Sequence, residues 1–198
     1  MRVGGLLAEM PEETPLFMLS DHGFCTLKKQ VYLNHYLQQE GLLHFTTQEP
    51  RTIADIDPQR TSAYCMDTGR IYLNIQGREP SGIVSPGAEA EALLPRPEGA
   101  IGELADPESG APMVGRIVRG SDAFHGPLAA SGPDLVVAPN RGYGFKGAVS
   151  QRTLTDVGIF SGMHTHDDGM LFVPQSVQAG DEPHIRGVAA LIESMVHA

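Results

Sequence analysis

Pro15-Leu16-Phe17-Met18-Leu19-Ser20-Asp21-His22-Gly23 is the stretch whose reading decides the fold. Leu16 to Leu19 are unbroken apolar residues. Such a short run suits a strand buried on both faces, as in a parallel sheet covered by helices. Polar residues begin at Ser20, and Gly23 permits a sharp bend. Open α/β sheets hold their ligands at the carboxyl ends of strands, so Asp21 and His22 fall where a site would lie. Carboxylate and imidazole both suit zinc and similar divalent ions. Adjacent strand residues point to opposite faces, so the two reach one ion only if the strand ends here. Taken alone, the dipeptide reads better as a helix N-cap in a strand-to-helix turn.

Working outward, Val3, Leu6, Leu7 and Met10 have helical spacing, although Gly4 and Gly5 weaken that helix. Residues 31–40 read as a helix with Leu33, Tyr36 and Leu37 on one face and Gly41 as its stop. Strands are expected at 63–66 and 70–75, turned by Asp67-Thr68-Gly69. A helix begins at 88–94, and Pro95 and Pro97 interrupt it. Residues 106–110 read as a turn, 114–118 and 134–138 as strands, and 140–147 as a glycine-rich surface loop. A strand at 170–174 and a closing helix at 188–196 complete the pattern. The mixture favours one α/β domain spanning 1–198, with a mostly parallel sheet flanked by helices.

The chain has 198 residues, enough for one real core, and its 41% apolar and 19% charged content is that of a globular protein. A net charge of −10 argues against a nucleic-acid duplex or an anionic membrane as the main partner. It leaves a small anionic substrate open, because bound divalent metal inverts the local field. No apolar run approaches a membrane span, and residues 1–10 lack the long apolar stretch of a signal peptide. Cys25 and Cys65 are too few for a disulfide framework and read as free thiols in a reducing, cytoplasmic compartment.

A second chemical candidate is Gly162-Met163-His164-Thr165-His166-Asp167-Asp168-Gly169. In an extended segment His164 and His166 share one face. A polar surface loop explains the octet about as well. His35, His44, His125, His184 and His197 stand without nearby ligand partners and suit surface or structural roles. There is no phosphate loop of the Gly-x-x-x-x-Gly-Lys type and no Gly-x-Ser-x-Gly elbow. Cys25 lies near His22 in sequence, but adjacency is not a catalytic dyad.

Together these segments resemble the type I phosphodiesterase and nucleotide pyrophosphatase family of the alkaline phosphatase superfamily. The resemblance begins at Ser20-Asp21-His22-Gly23-Phe24 and is clearest in Arg60-Thr61, Gly69-Arg70-Ile71-Tyr72-Leu73-Asn74 and Gly77-Arg78-Glu79-Pro80. Pro133-Asp134-Leu135 and Ser161-Gly162-Met163-His164-Thr165 continue it. It implies an alkaline-phosphatase-like core, with residues of about 60–145 as an inserted subdomain. It further implies a two-metal site, usually zinc, in which Asp21 and His22 bind one ion and His164 the other, with His166 as second choice. Two ions roughly 4 Å apart would clamp the oxygens of an in-line displacement at phosphorus.

The chain departs from that pattern in ways that shape the expectation. The family's first Asp, its Thr or Ser nucleophile and its Asp-x-x-x-His ligands precede the Asp-His pair, and none of these motifs stands before Asp21. The resemblance therefore implies the C-terminal portion of the fold, with an incomplete site and no nucleophile. Gly187 and Ala190 stand where the family has Asp and Pro, and Pro95 and Pro97 interrupt a helix it keeps intact. A partial parallel sheet would leave an unpaired edge, so self-association or pairing with a missing half is expected. Three readings follow. One is a hydrolase of phosphodiesters or nucleotide pyrophosphates that another segment completes. The second is a non-catalytic remnant or binding module of the same fold. The third is an unrelated metallohydrolase built on His164, His166 and Asp168.

Overall fold

The computed structural model describes residues 3–11, 13–181 and 183–196; His197, named above, lies outside them. Helices are α1 (Val3–Glu9), α2 (Leu33–Gln39), α3 (Ala88–Leu93), α4 (Pro95–Gly102), α5 (Gly120–Ala123) and α6 (Val188–Val196). Strands are β1 (Met18–Leu19), β2 (Gly23–Thr26), β3 (Lys29–Tyr32), β4 (Ala63–Asp67), β5 (Arg70–Leu73), β6 (Val114–Arg119), β7 (Leu135–Pro139), β8 (Tyr143–Lys146), β9 (Thr155–Asp156), β10 (Gly162–Thr165) and β11 (Leu171–Phe172). The chain divides into two compact units. One is Cys25–Met163, and the other combines Met1–Phe24 with His164–Ala198. None of the described helices is long and apolar enough to cross a membrane.

Cys25–Met163 holds the core. A four-stranded sheet runs β4-β5-β7-β6, and a three-stranded sheet runs β8-β3-β9. Leu33 and Leu37 of α2, Ile71 and Leu73 of β5, Ile101 of α4, Met113 and Leu135 are all essentially inaccessible to solvent. Asn34, also fully buried, ties α2 into this core: its amide donates to the carbonyls of Cys65 and Gly147, both at 2.7 Å. Its carbonyl oxygen accepts from Cys65 N–H at 2.7 Å. A buried polar group is tolerated when it is fully paired in this way. Burial pushes the Cys65 thiol up to about 12, which makes it a packing residue rather than a nucleophile.

The expected mostly parallel sheet is not what forms. β4 and β5 are joined by a tight turn, with Gly69 at φ +80°, and a turn of that length pairs strands antiparallel. β5 with β7, β6 with β7, β3 with β9 and β1 with β11 are antiparallel as well. β3 and β8 do run parallel, and a long crossover separates them, as a parallel pair requires. The deciding run at 15–19 yields only the two-residue β1, with Met18 half-buried and Leu19 exposed. Its apolar continuity did not reflect burial on both faces.

Two local expectations also give way. Pro95 does not end the helical region but opens α4 at its first position, where the missing N–H costs nothing. The glycine-rich 140–147 stretch is not a surface loop throughout: it contains β8, with Tyr143 and Phe145 alternately buried. Residues 29–32, partly assigned to a helix by spacing, form β3 at the centre of its sheet.

Candidate functional site

In the unit formed by Met1–Phe24 and His164–Ala198, the two candidate motifs lie side by side. Ser20 N–H donates to the Met170 carbonyl at 2.9 Å, and Met170 N–H donates to Ser20 Oγ at 2.8 Å. Gly23 N–H donates to the Asp167 carbonyl at 3.2 Å. Thr165, buried, donates its hydroxyl to the same carbonyl at 2.7 Å. β1 pairs with β11, Met18 opposite Phe172. Gly23 is glycine for a reason of space. A Cβ there would collide with Thr165 Oγ1, the Asp167 carbonyl and the Asp168 side chain.

This stitching sets the imidazoles of His22 and His164 face to face, with ring centroids 3.9 Å apart and planes 19° from parallel. Phe24 lies tilted against His164 at 5.6 Å. His22 Nδ1 is 2.9 Å from the Gly23 carbonyl. A carbonyl only accepts, so Nδ1 carries the proton and Nε2 keeps its lone pair when the ring is neutral. That Nε2 stands 3.5 Å from Asp21 Oδ1. Two donors each about 2.0–2.1 Å from a zinc ion at the tetrahedral angle would lie roughly 3.3 Å apart. The Asp21 and His22 pair therefore fits a shared divalent ion as far as two donors go. The His164 ring, stacked on His22, is parallel to it and does not converge on the same point.

The fit stops at two donors. Among the described residues no group of three His, Cys, Asp or Glu side chains is placed to hold one ion. A zinc site takes at least three protein ligands. Asp21 is 76% and His22 37% exposed at the side chain, so neither is held in a closed cage.

His166 lies one residue past the end of β10. It lines, with Asp21 and His184, a cleft of about 510 Å³ between the Ser20 and Met170 segments and the start of α6. His184 Nδ1 accepts from Arg186 N–H at 3.1 Å, which leaves the proton on Nε2. His184 also lines this cleft, a placement its isolated position in sequence did not signal. Cys25 and Cys65 are both free thiols.

The chain belongs to the type I phosphodiesterase / nucleotide pyrophosphatase family, whose model matches residues 1–167. Neither the curated proteins nor the solved structures include a match to this chain.

Proposed function

We propose that this chain contributes part of a two-metal site for hydrolysis of phosphodiesters or nucleotide pyrophosphates. Asp21 and His22 would hold one divalent ion and His164 a second, zinc being the ion these donors suit best. The stacked His22 and His164 rings carry the proposal. The two rings lie 3.9 Å apart, in the range of roughly 3.5–4 Å typical of the ion spacing in two-metal sites. When bound, such ions supply charge stabilisation at the reacting phosphoryl oxygens.

This chain's own residues supply the frame. Ser20, Gly23 and Thr165 fix the two donor segments against each other. The cleft beside Asp21 has room for a phosphoryl group, and His184 on its wall would donate to the phosphoryl oxygens. The nucleophile and the remaining ligands would come from another segment or another chain. The free thiols accord with a reducing, cytoplasmic setting.

A second reading, a non-catalytic binding module, is favoured by one observation: among the described residues the donors do not gather three to an ion. Zinc titration of the full chain, followed by calorimetry, together with hydrolysis of bis(p-nitrophenyl) phosphate, separates the two. Saturable zinc binding, weakened at least about tenfold by His22→Ala, is expected. Zinc-dependent hydrolysis by the chain with its completing partner supports the enzyme, and binding without hydrolysis supports the module. Zinc binding indifferent to both His22→Ala and His164→Ala would sink the assignment of the site.

A further inference from the structure

A second cleft, of about 380 Å³, opens within Cys25–Met163. It is bounded by α2, by residues 48–51 and by residues 149–152, and none of Asp21, His22 and His164 lines it. Its size suits a small ligand, but its walls are unlike an apolar pocket. Arg51 and Arg152 bring two guanidinium groups, and Gln38, Gln48 and Gln151 bring three carboxamides. The one carboxylate on the wall is Glu49, already bound to Arg152 at 2.7 Å. The cleft therefore carries two positive charges against one negative, in a chain whose net charge is −10.

Arg51 is presented by a rigid turn. Its N–H and that of Thr52 both donate to Asp55 Oδ2, at 2.9 Å each. These bonds hold the Asp55 carboxyl below the usual carboxylate range. The Arg51 side chain makes no hydrogen bond or ion pair among the described residues, although the Asp55 carboxylate lies near enough to feel its charge. Donors outnumber acceptors around the cleft, so the complementary ligand is rich in acceptor oxygens. A phosphate group has three terminal oxygens to share between two guanidinium forks and the amides, whereas a carboxylate has two. Buried Val149 and partly buried Pro50 give a small apolar floor beside these donors.

We propose that this cleft binds a small phosphomonoester, with Arg51 and Arg152 on the phosphate and the carboxamides on the polar edge of the attached group. The inference stands independently of the hydrolase reading. The test is calorimetric titration of the full chain with adenosine monophosphate, inorganic phosphate and acetate. Saturable binding of both phosphates is expected, with acetate at least about tenfold weaker. Arg51→Ala should weaken phosphate binding about tenfold or more, and Arg51→Lys should restore it only in part. Both positions are exposed, so the far-ultraviolet circular dichroism of these variants should match the parent. Arg116→Ala, which removes an exposed guanidinium that does not line this cleft, should leave phosphate binding unchanged. No saturable phosphate binding by about 10 mM would overturn the proposal. So would binding that survives both Arg51→Ala and Arg152→Ala, or binding lost instead in His164→Ala.

Discussion

Several motif residues of Cys25–Met163 are buried or half-buried and paired, whereas the candidate donors Asp21 and His164 of the unit formed by Met1–Phe24 and His164–Ala198 are exposed. In the first, Asn74 donates its amide to the Pro58 and Thr61 carbonyls at 2.8 and 2.9 Å. Arg78 spans the Leu73 carbonyl and Asp134, at 2.6 and 2.7 Å, and Asp134 in turn accepts from Leu73 N–H at 2.6 Å. These residues belong to the same family motifs as the site, yet they pin strands and loops together. In the second unit, Val188 is the buried apolar side chain among those described, while Leu19, Phe172, Ile185 and Ile192 are exposed. A region with so little apolar burial opens at low free energy. Motif residues such as Asn74 and Arg78 thus act as fold pins, a role that their burial and pairing report and the sequence alone does not.

The largest effect should come from breaking a pin. Asn34→Ala strands Cys65 N–H and the Cys65 carbonyl in the interior and frees the half-buried Gly147 carbonyl. Each orphaned group costs about 1–3 kcal/mol, so a loss of about 4 kcal/mol is expected from urea unfolding. Asp21→Asn, on an exposed side chain, should change the same measurement by less than about 0.5 kcal/mol. Comparable losses from the two substitutions would erase the distinction between the regions.

Next in size is a pH effect confined to Cys25–Met163. Lys29 Nζ donates to buried Asp106 at 2.8 Å, and Glu108 lies 2.9 Å from the same ammonium. Asp106 also accepts from the Tyr143 hydroxyl at 3.1 Å. The Lys29 hydrogen bond, foremost, holds the Asp106 carboxyl well below its ordinary 3.8, and the Asp106 bond raises Lys29 above its ordinary 10.5. A depressed carboxyl stabilises the fold above its unfolded value and loses that contribution as pH falls below it. A raised amine contributes fully below its unfolded value and loses that contribution as pH rises through the folded one. Unfolding free energy should therefore be flat, as far as this pair goes, between about pH 4 and 10, and should fall on either side. In Lys29→Met the alkaline limb attributable to the pair should vanish and the acid limb shrink. Unchanged limbs would remove the pair from the stabilising set.

How much of this was legible beforehand differs between the same two regions. The β4–β5 hairpin, β6, β7 and α6 follow from local pattern, because turn chemistry and spacing there agree with the packing. The strand direction did not follow. Leu16 to Leu19 look like a buried parallel strand, but apolar continuity cannot report whether anything covers it, and here Leu19 is exposed. β8 was hidden because three glycines outweighed the alternation of Tyr143 and Phe145. Asp21, His22 and His164 were legible as residue types in motifs. Their stacking was not, since it depends on hydrogen bonds between segments far apart in sequence. Arg51 and Arg152 carried no motif at all, and only the fold brings them to one cleft.

The smallest change that sharpens the comparison is a methyl group at Gly23. It would meet Thr165 Oγ1 and the Asp167 carbonyl, so the Asp21–Gly23 segment must move away from the His164 segment. The Gly23 to Asp167 hydrogen bond ties the segment that carries His22 to the one that carries His164, so a shift of Gly23 would disturb the stacked rings. Gly23→Ala should therefore weaken zinc binding about tenfold, the loss typical of a support lost around a metal ligand. Amide exchange of β5 and β7 should stay as in the parent, because no core side chain of Cys25–Met163 touches the change. Gly77→Ala is the control. Gly77 also carries a positive φ, of +82°, but no atom lies near its absent Cβ. That substitution strains a turn without moving the rings, so it should leave zinc binding intact. If Gly23→Ala binds zinc as the parent does, the stack is incidental to the donors. If it slows or speeds exchange in β5 and β7 as well, the two units are energetically one, and the contrast between pins and site residues loses its basis.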